Sequence, residues 1–299
     1  MPITLNFAQR KPQALDSIEI YRKTPGNATI DVNAPGTPLA TLPGDATSYE
    51  DNAVENNTTY RYWIAAVKDG ERVFNTPTAQ GFFLDTGPGP QKLLYGDWHA
   101  GYFGTVTPAE LFTNTELNGL VVNMFSSAVG AWHKFIYKNR ILFMSDNAII
   151  SASPQFIYNQ GMMYGQDGNG FVPSWATARN QRRTVAKNGY EYVVRLPYLF
   201  DYKYWTSYVG SGNSELYLDG EWFNTFARLY NYSGQFPRFD DLPVGPTDST
   251  TAPQSAFFAT MNNIYNQWYN RPPYPESPSY GRYETNAIRS IVVLELVLP

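Results

Sequence analysis

His99 and His133 are the only histidines of the chain, and it has no cysteine. A metal centre would need both histidines together with carboxylates, yet neither stands in an HxxxH or HxxE spacing, so the sequence predicts no zinc site. A Ser-His-Asp triad draws its members from distant positions, and no GxSxG elbow supports one here. Acid-base cleavage of a sugar requires two carboxyls about 5 to 10 Å apart. Candidates are Asp240-Asp241 in PRFDDLP and Glu215, Asp219 and Glu221 in SELYLDGEW. Neighbours in sequence carry no information on that distance, and these acids read as solvated loop residues.

Asp167 and Asn169 in GQDGNG offer oxygens to a calcium ion, but the stretch lacks the further acids of a calcium loop and reads as a plain turn. GSGNSE has neither the lysine nor the preceding strand of a phosphate cradle. The one basic cluster, RNQRR from Arg179 to Arg183, reads as a solvated or salt-bridged face. Aromatic segments are the most suggestive functional material. YLFDYKYWTSY and YNQWYNRPPYPESPSYGRY set Tyr204, Trp205, Tyr208, Trp268, Tyr269, Tyr274 and Tyr280 among Asn, Ser, Gly and Pro. Flat amphipathic rings gain contact area at low entropic cost, so these seven form a candidate recognition surface, with mutual packing as the alternative.

The elements that must position such residues are mostly strands. Stretches at Ile3 to Phe7, Ser17 to Lys23, Pro38 to Leu42, Thr47 to Asp51, Thr58 to Gly70 and Glu71 to Thr76 are separated by Gly, Pro, Asn and Asp clusters. In the fifth, Tyr60, Tyr62, Ile64 and Ala66 fall on one face. LDTGPGPQK cannot sustain a helix and reads as a short connector at 87–92. Beyond it, Thr107 and Thr113 each precede a Glu by three residues, the spacing of a capping box. WHKFIYKNRILFM reads as two strands turning at Lys138-Asn139, with Phe135, Tyr137, Ile141 and Phe143 building the domain and His133 incidental. Asn188-Gly189 between alternating segments is a strong hairpin signal, and the closing IRSIVVLELVL suits a buried strand.

With 299 residues the chain is long enough for two domains. A net charge of -4, with its 22 basic residues scattered, argues against nucleic acid as a partner. The aromatic share, 16%, equals the charged share, which suits a β-rich protein and not a helical bundle. The N-terminus lacks the layout of a signal peptide and no apolar run reaches the length of a spanning helix, so membrane insertion is not expected.

IEIYRK followed by PLATLPGDATSYEDNAVENNTTYRYWIAAV resembles the later strands of a fibronectin type III domain, a likeness covering residues 1–86. Val54 precedes Tyr60 by six residues, and the resemblance implies that Tyr60 is a structural tyrosine whose hydroxyl bonds back to the strand-joining loop. Ile3 to Phe7 aligns with the family's second strand, so the usual first strand is missing.

GDWHAGYFGTVTPAELFTNTELNGL, WHKFIYKNRILFMSDNAI, FIYNQGMMYG, NGYEYVVRLP, GEWFNTFARLY and VVLEL occur in an order that resembles a family of tailed-bacteriophage virion proteins, over residues 93–299. VRLP followed by EW is also similar to the C-type-lectin-like fold. Ile288-Arg289-Ser290 replaces the family's Trp-Arg-Pro, and a long insert runs from Tyr232 to Phe258.

These resemblances imply a mainly β protein with some α: an Ig-like or fibronectin-like sandwich (1–86), a Gly-Pro linker (87–92) and a mixed α+β, β-rich domain (93–299). The expected function is non-enzymatic and structural, in a virion, with no cofactor, no metal and no catalytic residues. Expected partners are other virion proteins, a host-surface glycan and further copies of the chain. A glycan-binding adhesin is the alternative, and a polysaccharide depolymerase a further one.

Overall fold

The computed structural model describes residues 2–7, 14–121, 123–172, 176–198, 220–229, 256–262, 267–271 and 288–299, with backbone alone at 256–262, 267–271 and 288. The protein is mainly β, in several antiparallel sheets. It divides into two compact units, residues 1–86 with 97–100, and residues 87–96 with 101–299. Among the described residues, no helix is long and apolar enough to cross a membrane.

The first unit holds seven strands: β1 (Ile3–Asn6), β2 (Ser17–Lys23), β3 (Ala40–Pro43), β4 (Ser48–Asp51), β5 (Thr58–Lys68), β6 (Glu71–Phe74) and β7 (Thr78–Phe82). β1 pairs β4, while the larger sheet runs β3-β2-β5-β6, with β7 also on β5. One turn makes the β5–β6 pairing local: Asp69 and Gly70 take positive φ between the two strands, as a tight hairpin requires. The alternation of β5 then directs its two faces into different clusters. Tyr60 and Tyr62 join Ile3 and Leu5 of β1 and Ile18 and Ile20 of β2, whereas Trp63 and Ala65 pack with Tyr21. β7 has no apolar alternation to announce it. Its Gly81 is instead covered by Trp98, whose ring also stacks on Phe83 at 5.3 Å.

The second unit is organised by a sheet of order β13-β14-β18-β11-β10-β9-β8. Its strands are β8 (Tyr95–Gly96), β9 (Ala100–Val106), β10 (Trp132–Tyr137), β11 (Arg140–Ser145), β13 (Thr184–Lys187), β14 (Tyr190–Arg195) and β18 (Val293–Leu296). β12 (Ile150–Ala152) pairs β17 (Ile288–Ser290), and β15 (Ala256–Asn262) pairs β16 (Gln267–Arg271). Lys138 and Asn139 both take positive φ and close the β10–β11 hairpin without glycine. Asn188 and Gly189 do the same between β13 and β14. Thr113 and Glu116 form a complete capping box on α1 (Asn114–Leu120). Thr107 and Glu110 make the same side-chain bonds, but only a turn follows. A second helix, α2 (Pro154–Asn159), starts at Ser153, whose hydroxyl accepts from the Phe156 amide, with Pro154 at its first position.

β18 enters between β14 and β11, so the closing apolar run is buried on both faces. Opposed residues share a face. One face therefore carries Trp132, Lys134, Ile136, Ile141, Phe143, Leu294, Val194 and Tyr192. Lys134 on this face is wholly buried, and its ammonium donates to the carbonyls of Gly87 (3.2 Å), Pro88 (3.0 Å) and Pro90 (2.7 Å). The Gly-Pro stretch is thus strapped down within the second unit. Prolines suit it, because their carbonyls remain acceptors while no N–H is left to satisfy.

Candidate functional site

The opposite face of the large sheet gathers the polar residues. Register places His133, Phe135 and Tyr137 of β10 beside Met144, Leu142 and Arg140 of β11, then Val293 and Glu295 of β18, then Arg195 and Val193 of β14. This face is covered by α3 (Glu221–Asn224) and the 3-10 turn Phe226–Leu229, with Thr225 donating to the Met144 sulfur at 3.7 Å.

His133 lies in an aromatic nest. Its Nδ1 is 3.0 Å from the Tyr102 hydroxyl, Phe226 meets its ring edge-on at 5.5 Å, and Trp222 stacks on Phe226 at 4.9 Å. Burial disfavours the imidazolium and pulls the pKa down to about 4. Burial likewise pushes the Tyr102 hydroxyl up, which keeps it protonated. A neutral imidazole paired to a neutral phenol holds a position in the sheet. The sequence reading of His133 as incidental missed the tyrosine, which lies 31 residues upstream in sequence.

Glu221 departs from expectation more sharply. Read from sequence as a solvated loop acid, it is 1% exposed. The fully buried Arg195 grips it with two parallel bonds of 2.8 and 2.6 Å. Arg195 also donates to Glu295 at 2.9 Å, and Arg140 approaches Glu221 at 3.3 Å and Glu295 at 3.6 Å. The Tyr198 amide adds a bond to Glu221 at 3.2 Å, and its ring lies 3.9 Å from the Arg195 guanidinium. Two arginines thus balance two carboxylates. Burial alone would raise the Glu295 carboxyl, but the charges of Arg195 and Arg140 outweigh it and hold that pKa below the usual range. Glu221 has both oxygens engaged and almost no exposure, so it is unsuited to general acid or base work on a polymer. Nothing in SELYLDGEW pointed to this, because its partner Arg195 stands 26 residues earlier.

The remaining candidates divide by place. Glu215, Asp219, Asp240 and Asp241, and Tyr204, Trp205, Tyr208, Tyr274 and Tyr280, lie outside the described residues; Trp268 and Tyr269 belong to β16, described in backbone alone. Asp167 is exposed, and its carboxylate takes Asn180 at 3.2 Å and Arg182 at 3.9 Å, while Asn169 supplies its carbonyl to the Tyr158 hydroxyl. Among the described residues, no group of three metal-ligating side chains occurs. Within the basic cluster, Gln181 is an exception to a solvated face. It is fully buried, accepts from the Met163 amide and donates to the Tyr158 carbonyl.

In the first unit, Tyr60 is buried and its hydroxyl accepts from the Glu55 amide at 2.7 Å. Asp51 is buried against Arg22 at 2.6 Å and the Tyr62 hydroxyl at 2.7 Å. The flank beyond β1 differs from this closed interior. Phe7 donates to the Thr47 carbonyl, so in an antiparallel pair Ile3 and Leu5 direct their backbone groups to β4, and Thr4 and Asn6 direct theirs outward. Among the described residues no backbone hydrogen bond reaches Thr4 or Asn6 from that side. Beside it runs an apolar trough of about 260 Å³ lined by Phe7, Leu15, Ile18, Ile64, Ala66 and Val73. No protein-family model, curated protein or solved structure matches the chain.

Proposed function

We propose that the chain is a non-enzymatic structural protein of a tailed bacteriophage particle, acting through protein–protein contacts and present in several copies. Its first unit is a fibronectin-like sandwich that lacks the first strand, and its second is the β-rich virion domain implied by the ordered blocks from Gly96 to Leu296. The observation that carries this reading is the pairing pattern of the first unit. The β1–β4 pair shares one core cluster with the sheet β3-β2-β5-β6, and the outer side of β1 is unpaired among the described residues. That pattern supports the fibronectin resemblance, in which a further strand would lie next to β1, and an unpaired backbone edge suits assembly. The locking of Glu221 and the packing of half-buried His133 against Tyr102 and Phe226 support a structural role over a hydrolytic one.

Antibody raised against the purified chain tests the reading on particles banded from a phage lysate of the source cells. Immunogold labelling at regular sites on the particle is expected. Particles free of the chain by both labelling and mass spectrometry would overturn the proposal.

A further inference from the structure

The open flank of β1 and the trough beside it describe one vacancy. Ile18, Ala66 and Val73 stand opposite one another across β2, β5 and β6, and so share the core-facing side of the sheet. Ile18 is 4% exposed, but Val73 is 72% exposed. A valine on the core side of a sheet stays in water only where the opposing layer stops short. β4 is tied to β2 through Asp51 and Arg22, and β1 approaches β7. The outer flank of β1 therefore looks toward the β6 and β7 end, where the trough lies.

We infer that this vacancy receives an extended strand donated by a different polypeptide, one with branched aliphatic residues at alternate positions and a lysine or arginine at its end. Its backbone would pair with the outward groups of Thr4 and Asn6. Its inward side chains would fill the trough over Ile64, Ala66 and Val73, at the period of two that strand pairing imposes.

Three observations favour such a donor. In sequence, residues 8–13, AQRKPQ, hold no apolar side chain beyond Ala8 and Pro12. Of the strands whose side chains are described, those with alternating apolar residues spend them in their own cores, as Ile3 and Leu5, Phe135 and Tyr137, and Val293 do, so none of these is spare for a second copy. Among the described residues, the rim near Leu15 and Val73 carries exposed Asp16, Asp69 and Glu71 against Lys68 and Arg72, and Arg72 is already paired with Glu19 at 2.7 Å, so an acidic excess is left that complements a basic terminus.

Edge guarding sharpens the point. Among outer strands, β3 carries Pro43, β6 carries Glu71 and Arg72, β13 carries Lys187, and β8 is two residues long. Such devices keep sheet edges from pairing. β1 turns out only Thr4 and Asn6, which are neither charged nor proline.

The inference rests on the sandwich reading above but not on the particle, so each can fail alone. The probe is a synthetic peptide, KVTVTVK, titrated into the full chain, with fluorescence anisotropy for affinity and hydrogen exchange for residues 2–7. Saturable binding with slowed exchange at Thr4 and Asn6 is expected. Val73→Asp, at an exposed site, and Thr4→Pro, at an outward N–H that β1–β4 pairing does not use, should each weaken binding at least about tenfold with the thermal transition retained. Absence of binding, or affinity left unchanged by either variant, would overturn the proposal. Concentration-dependent self-association that is abolished by Val73→Asp would overturn it too, since a second copy would then be the occupant.

Discussion

Both units bury a carboxylate against an arginine and a tyrosine, but they do so at different depths. In the first, Asp51 meets an Arg22 side chain that keeps 20% of its surface in water. In the second, Arg195 has none, and Glu221, Glu295 and Arg140 complete a neutral group of four beneath α3. The central strands β11 and β18 of the second sheet are buried on both faces, whereas in the first unit, among the described residues, the outer side of β1 is unpaired beside an apolar trough. Charges buried this deeply carry a large desolvation cost that only complete pairing offsets.

Breaking that pairing is the strongest way to test the contrast. Glu221→Ala leaves Arg195 and Arg140 facing Glu295 alone and should cost about 3–5 kcal/mol, read as a loss of the second unit's denaturant transition. Asp51→Ala, beside a partly hydrated Arg22, should cost less, about 1–3 kcal/mol. Equal losses at the two sites would show that burial depth does not distinguish the units. Combining Arg195→Met with Glu221→Leu should recover part of the loss, since an apolar pair leaves neither charge stranded.

Acid provides the next test. His133 in the folded sheet has its pKa lowered to about 4, below the ordinary value of 6.5. The unfolded chain therefore binds the proton first, so stability is complete above about pH 6.5 and falls as pH drops toward 4. The loss should reach about 2–3 kcal/mol in the second unit, and His133→Phe should remove it from that window. The ion pair of Glu295, whose carboxyl lies below the usual range, adds its own loss at lower pH. A wild-type stability that is flat from pH 6.5 to 4.5 would contradict the desolvation of the His133 ring.

What could be read in the sequence follows from the range of the interactions. β2 matches its expected bounds, and the turns at Lys138-Asn139 and Asn188-Gly189 and the cap at Thr113 are where local chemistry put them. β7 went unseen because Thr78, Gln80 and Gly81 give no apolar alternation, and Gly81 is covered by Trp98, 17 residues further on in sequence. The other capping-box spacing, at Thr107, yields only a turn: Leu111 and Phe112 are buried directly after it, and Thr113 then caps a new helix. Glu221, Gln181 and Lys134 eluded local reading for one reason: each is buried by partners 18 to 47 residues away, and a polar residue signals exposure until those partners are known.

The smallest effects bear on the first unit, where the comparison is most easily sharpened. Tyr60→Phe keeps the ring in its cluster and removes only the acceptor for the Glu55 amide, so about 1 kcal/mol should be lost from that unit's transition. Val73→Asp should change stability by no more than about 0.5 kcal/mol, despite placing a charge on the core-facing side of a sheet. That outcome would mean the side chain is solvated in the isolated chain, as 72% exposure requires. A loss above about 2 kcal/mol would instead mean that the trough is already filled, and the first unit would then be as closed as the second.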